Sequence, residues 1–260
     1  MTTRGHPEPS APAGLYHRDM SSETGFDVAW TILAPGARRS LQLAYESLAA
    51  GGLACGAAIA DVSGAVLAAG RNRAYDPPGG TDALQGTPIA HAEMNTLAAV
   101  STYRDLSTCT LWSSQEPCSM CTAAAIFSGM GTIRYVAPDP WAIAAGHSRS
   151  SPGRAVGAAA ATQPDRSPLV VGPSDDERWV VAANVMFLLS IALRRGFDHP
   201  TIVRNTELEP DTVMLVRHLL EAEPSAGLLT NGNAFLARWW SAVCSAAERR
   251  KATRLADPAS

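Results

Sequence analysis

Twenty-three residues lie between the end of His91-Ala92-Glu93 and the start of Pro117-Cys118-Ser119-Met120-Cys121. That interval constrains the fold more than any other feature of the chain. It has room for a helix, a turn and one strand. His91 stands at the start of a predicted helix, after a Gly/Pro-rich loop, and Cys118 stands between a predicted strand and a predicted helix. Two adjacent strand-to-helix junctions then aim one histidine and two cysteines at a common spot.

The flanking sequence supplies the elements. Leu41, Leu43, Ala44, Leu48 and Ala49 give an apolar side to a helix over about Ala37 to Ala50, which Gly51-Gly52 ends. Leu53 to Asp61 and Ala65 to Asn72 are short apolar runs joined by Val62-Ser63-Gly64, the chemistry of a β-hairpin. A loop runs from Asp76 to about Pro88, and a helix follows from near Ile89 to Val100. Strands are expected at Cys109–Ser113 and Thr132–Ala137, with a helix between them from Cys118 to about Ser128. The order α, β-hairpin, α, β, α, β predicts an α/β fold, a three-layer α/β/α sandwich with a mixed central sheet. From His147 to about Ser167 the chain is rich in Ser, Gly, Ala and Arg and reads as a connection, with a last strand at Pro168–Val171. Beyond Pro173 helices are expected over about Asp176–Arg195, Glu209–Glu223 and Asn231–Arg249, an all-helical C-terminal extension. Residues 1–24, rich in Pro, Ser and Gly, read as a flexible tail.

Composition removes several function classes. Lys and Arg total 21 against 24 Asp and Glu, a net charge of −3, with Lys251 the only lysine. Such a chain is not built to coat nucleic acid or an anionic membrane. The longest apolar run, Trp179 to Leu193, is interrupted by Asn184 and Ser190 and falls short of the roughly 20 residues of a spanning helix, so a buried helix is expected. The N-terminus lacks the apolar stretch of a secretory signal. Five cysteines, Cys55, Cys109, Cys118, Cys121 and Cys244, make no disulfide framework. A cytoplasmic protein is the expectation. Cys55, Cys109 and Cys244 are expected as small buried hydrophobes, and Trp239-Trp240 as packing or dimer contacts.

The chemistry of the two motifs is specific. Zinc takes four tetrahedral ligands, and one histidine with two thiolates leaves a position for water, as catalytic sites do. The ion lowers the pKa of that water. Glu93, two residues from His91 on a helix, diverges from it and need not compete for the metal. Both cysteines near a helix N-terminus gain from its dipole in staying ionised.

His91-Ala92-Glu93 followed by Pro117-Cys118-x-x-Cys121 resembles the H-x-E…P-C-x-x-C signature of the cytidine deaminase-like superfamily of zinc deaminases, a pattern known in nucleobase deaminases generally. Glu116-Pro117-Cys118-Ser119-Met120-Cys121 is similar to the stretch found in its guanine deaminase and tRNA adenosine deaminase branch. Asn95, two after the glutamate, is more similar to the dCMP deaminase branch, and Pro140-Trp141-Ala142-Ile143 matches neither. The resemblance covers roughly residues 37–140. It implies one zinc per chain on His91, Cys118 and Cys121, and attack by zinc hydroxide on an amino-bearing ring carbon. Glu93 would shuttle the proton to the ring nitrogen and to the departing ammonia. Asn72 would hydrogen-bond the base, Ala92 and Cys118 would offer backbone N–H groups, and carbonyls near Ser114 and Glu116 would receive the amino group. Trp141 is either a base-stacking residue or a core or hinge tryptophan.

The expected organisation is a tail at 1–24, a deaminase domain at 25–172 and the helical extension at 173–260. The expected substrate is a small nucleobase, nucleoside or related amino-heterocycle, as in purine and pyrimidine metabolism, with no nucleic acid or membrane partner; a homodimer is implied by the resemblance alone. A tRNA adenosine deaminase is the alternative, and a catalytically silent binding module a further one. A closed structural zinc site would need a fourth ligand, for which Cys109 is the only nearby candidate.

Overall fold

The hairpin forms as the turn chemistry requires. The computed structural model describes residues 21–80, 82–141, 168–222 and 232–256. Strands β1 (Gly56–Ala60) and β2 (Val66–Arg71) are antiparallel. Between them Asp61 Oδ1 accepts from the Ser63 N–H at 2.9 Å and the Ala65 N–H at 3.1 Å, while Gly64 takes φ +84°. A positive φ favours glycine because it has no Cβ to clash. β3 (Thr110–Gln115) pairs antiparallel with β1, and β4 (Thr132–Ala137) and β5 (Leu169–Val171) continue in parallel. The sheet order is β2-β1-β3-β4-β5, so the sheet is mixed as expected.

Helices cover both faces. On one lie α3 (Ala92–Ala98) and α4 (Ser119–Phe127), over a core of Ala57, Ile59, Leu106, Leu111, Ala125 and Ile133. The opposite face is covered by α2 (Pro35–Ala49) and by the extension's first helix, α5 (Glu177–Arg195). From Trp179 to Ala192 every residue of α5 is buried, which explains its long, largely apolar run. Among the described residues no helix is long and apolar enough to cross a membrane. α6 (Pro200–Leu208), α7 (Pro210–Ala222) and α8 (Gly232–Ala256) complete the extension.

Two helices depart from the sequence expectation. α1 (Ser21–Ile32) begins inside the expected tail. Its Phe26 and Ala29 are buried, and Phe26 and Trp30 join Trp179 and Trp240 in one aromatic cluster with centroid separations of 4.6–6.1 Å. Its partners are about 150 and 210 positions away, so the helix is stabilised by packing rather than by its own composition. α6 starts at Pro200, where His199 caps it by accepting from the Thr201 N–H through Nδ1 at 3.3 Å. Smaller shifts also occur: α3 starts at Ala92 rather than Ile89, and β3 runs on to Gln115 rather than stopping at Ser113. The rest of the tail and the connection at 147–167 lie outside the described residues.

Close approach and buried charge hold the layers together. A Cβ on Gly56 would lie 2.1 Å from the Ser40 carbonyl oxygen and 2.5 Å from the Ala44 nitrogen, so β1 touches α2 backbone to backbone. Arg250, on α8, is buried with Glu209, bonding both its carboxylate oxygens at 2.8 and 3.1 Å, and also meets Glu177 at the start of α5. We expect Gly56→Ala to cost about 1–3 kcal/mol by forcing these backbones apart. Arg250→Met should cost about 3–5 kcal/mol by removing the charge that both Glu209 carboxylate oxygens are buried against. Urea denaturation midpoints measured at constant m-value check both.

Candidate metal centre and active site

Four chain ends meet at one edge of the sheet. The register Ala57↔Ser113 places the start of β1 beside the end of β3, and Gly56↔Arg71 brings the end of β2 to the same edge. Gln115↔Ala137 adds the end of β4. Open α/β sheets bind ligands beyond the carboxyl ends of their parallel strands, and α3 and α4 both begin here.

Each helix presents a ligand from its cap. His91 is the N-cap of α3 and Cys118 that of α4, both with extended backbone, and neither side chain is spent on capping. Cys121 lies one turn into α4 and is fully buried. His91 Nδ1 is 3.6 Å from the Sγ of Cys118 and 3.6 Å from that of Cys121, and the two sulfurs are 3.6 Å apart. A tetrahedral ion with Zn–S about 2.3 Å and Zn–N about 2.0 Å gives donor separations of about 3.5–3.8 Å, so the triangle fits zinc. Among the described residues this is the group of donors close enough to share one ion. Cys109 is not part of it: it is buried in the core beneath α3 and α4. Among the described residues no fourth protein ligand joins the triangle, which leaves a position for water or substrate.

The charges agree with a dication. In the bare triangle Cys121's thiol, and then His91, draw the Cys118 pKa down to about 4. Cys121 is pushed far up by its neighbour Cys118 and by burial, because two thiolates this close repel. The hydrogen bond with Cys118 raises His91. A zinc ion allows both thiolates to coexist and keeps the imidazole neutral.

Glu93 lies beside the triangle, not in it. The carboxylate is buried; Oε1 accepts from Ser113 Oγ at 2.7 Å, and Oε2 is 3.4 Å from Cys121 Sγ. Burial raises its pKa, and the Ser113 bond partly opposes this. Ser113 was absent from the sequence expectations. Its signal was the two-residue period of β3, which puts it on the same face as Leu111, toward α3.

The other expected site residues divide. Asn72 is buried at the end of β2, with Oδ1 accepting from the Ala74 N–H at 3.1 Å and its N–H bonded to the Cys55 carbonyl at 2.9 Å. The next residue donates from its N–H to the Ala90 carbonyl at 2.9 Å, which brings Asn72 to the His91 edge. Ala92 is the first residue of α3 and fully buried. Ser114 turns its hydroxyl away to accept the Gly56 N–H at 3.0 Å. Glu116 is half-buried, and desolvation raises its pKa. Trp141 is 45% exposed and tilts against His199 at 5.4 Å rather than being a core residue. Asn95 donates to the Arg71 carbonyl at 2.8 Å and the Ala90 carbonyl at 3.2 Å, so it clamps α3 to β2. Asp139, also not anticipated, is raised to about 7 by desolvation, with the charges of Glu116, Cys118 and Glu93 adding to the effect.

An α/β/α sandwich with a histidine–cysteine–cysteine triangle and an adjoining buried carboxylate is a zinc centre of the open, three-ligand kind. Residues 36–137 match the family described as the cytidine and deoxycytidylate deaminase zinc-binding region; the chain belongs to these zinc-binding deaminases through that segment. Among solved structures, a guanine deaminase from Nitrosomonas europaea is 26% identical, with 71% of this chain and all of that one covered, at a TM-score of 0.45. A guanine deaminase from Bacillus subtilis is 31% identical over 44% of this chain and 70% of that one, at 0.35. A tRNA:A34 deaminase is 24% identical over 52% and 94%, at 0.40. No curated protein matches.

Zinc-loaded wild-type protein should carry one ion per chain by elemental analysis. His91→Ala and Cys121→Ser should each lose most of it, whereas Cys109→Ser should keep it.

Proposed function

We propose that this protein is a hydrolytic deaminase of a small amino-heterocycle, a nucleobase, nucleoside or nucleotide. The observation that carries the reading is the Glu93 carboxylate, buried, held by Ser113 and adjacent to the zinc triangle without belonging to it. A structural site has no use for such a group.

His91, Cys118 and Cys121 hold the ion. Bound zinc supplies Lewis acidity that brings a coordinated water's pKa to about 7. Glu93 moves the proton: its carboxylate takes it as hydroxide adds to the amino-bearing carbon, passes it to the ring nitrogen, and assists departure of the amino group as ammonia. A carbonyl replaces the amine. Burial suits the task, because a carboxylate with a raised pKa both accepts and returns a proton near neutral pH. Ser113 is a positioning residue that fixes the carboxylate's direction. Asn72 offers its amide N–H₂ to the base, and Trp141 an aromatic wall beside it. The Ala92 N–H and the carbonyls at Ser114 and Glu116 complete the set that orients the ring. Residues 25–172 form the catalytic unit, with 173–260 as its extension. The mild net negative charge supports a small molecule over RNA, whose binding rests on cations at phosphates.

Ammonia release from guanine, adenine, cytosine, their nucleosides and monophosphates, and a tRNA anticodon hairpin tests this. We expect turnover of a small heterocycle, reduced at least about a thousandfold in Glu93→Gln, which retains its zinc. Ser113→Ala should lower kcat by roughly 10–100-fold with little change in KM, within the range of a misdirected acid–base group. Silence across the panel, or turnover of the hairpin alone, would overturn the small-molecule reading.

A further inference from the structure

A cavity of about 240 Å³ opens between the sandwich and the extension, at the small end of ligand sites, which span about 300–1,000 Å³. Leu53 and Ile191 form its apolar part, Tyr75 and Trp141 its aromatic part, and Arg194, Arg195 and His199 its polar part. No carboxylate lines it. Its lining lies close along the chain to residues near the metal centre: Leu53 is two residues from Cys55, whose carbonyl accepts from the Asn72 N–H, Tyr75 two from Arg73, whose N–H bonds the Ala90 carbonyl next to His91, and Trp141 two from Asp139. Two residues span at most about 7 Å.

The basic groups are prepared as donors. Arg194 lays its guanidinium 3.7 Å from the centre of the Tyr75 ring and gives one N–H to the Gly51 carbonyl at 2.6 Å. This fixes the fork and leaves its other N–H groups open, since a guanidinium carries five. Arg195 is exposed, with no hydrogen-bond or ion-pair partner among the described residues. The His199 Nδ1 accepts from the Thr201 N–H, which leaves Nε2 as the protonated nitrogen of the neutral ring, a donor. Cations near the end of α5 suit its dipole, but the dipole accounts neither for the aromatic clamp on Arg194 nor for the convergence of three donors on a cavity. Two guanidiniums match the charge of about −1.5 to −2 on a phosphate monoester better than that of a carboxylate.

We propose that this cavity binds the phosphate of the substrate, with Arg195 and Arg194 as ligands and His199 Nε2 as a further donor, so that the protein acts on a phosphorylated amino-heterocycle of the nucleoside monophosphate class. The proposal rests on the deaminase reading for its substrate but not for its binding site. The helical extension then selects the substrate, and the sandwich performs the chemistry.

The test uses full-length zinc-loaded protein. Titration calorimetry with inorganic phosphate should show binding to wild type, weakened at least tenfold in Arg195→Glu and kept within about threefold by Arg195→Lys. In the turnover assay a monophosphate should exceed its nucleoside at least tenfold in kcat/KM, mostly through KM, and Arg195→Glu should abolish that preference. Equal phosphate binding by Arg195→Glu and wild type would overturn the site. A nucleoside or free base outpacing its monophosphate would overturn the substrate class, as would binding of the anticodon hairpin with none of any monophosphate. If nothing is deaminated yet phosphate binding follows Arg195, the anion site stands and the deaminase reading is what fails.

Discussion

Three soft donors held 3.6 Å apart are what the rest of the architecture serves. Neither α3 nor α4 could place them alone, because His91 and the cysteines belong to different helices. The N-termini of both must stand side by side, which the sheet order provides by bringing the ends of β2, β3 and β4 and the start of β1 to one edge. Small contacts hold the two caps there. Asn95 ties α3 to the end of β2, and Thr96 Oγ1 donates to the Ala57 carbonyl at 3.1 Å, tying it to β1. The loop between Asn72 and His91 is anchored by Arg71, which pairs with both oxygens of Asp76 at 2.7 and 2.9 Å, and by Arg73 with Asp76 and Asp82.

The extension is part of the same energetics. α5 packs beside α2 on one face of the sandwich, and α1, α5 and α8 share the aromatic cluster around Trp179 and Trp240. Arg250 pins α8 to both Glu177 and Glu209. α6 reaches back to the segment after β4, where Asn205 donates to the Pro140 carbonyl at 2.9 Å. That contact lies one residue before Trp141, whose ring meets His199. Core packing and the shape of the cavity therefore depend on one arrangement of helices.

Much of this was legible in the chain. Short apolar runs marked the strands of the sandwich, an apolar side marked its first helix, and turn chemistry marked the hairpin at Ser63-Gly64. His91, Glu93, Cys118 and Cys121 were legible because zinc restricts ligand type and number so tightly that four residues in two short motifs suffice. Less was visible where residues act through distant partners. α1 is amphipathic only with respect to the tryptophans of α5 and α8. Arg194 and Arg195 close α5 as helix-end cations commonly do, and nothing local to them points to Tyr75, more than a hundred positions away in the chain, beneath the Arg194 guanidinium.

The sequence by itself determined the metal, the carboxylate beside it and the layered α/β core, because coordination chemistry and hydrophobic period are local properties of residue type and spacing. Only the tertiary structure decided which serine bonds Glu93, that Cys109 stays in the core, and that the extension's arginines line a cavity with Tyr75 and Trp141. Those outcomes depend on how close non-neighbouring backbones come, as at Gly56 against α2, and such distances are set by the packing of the whole chain.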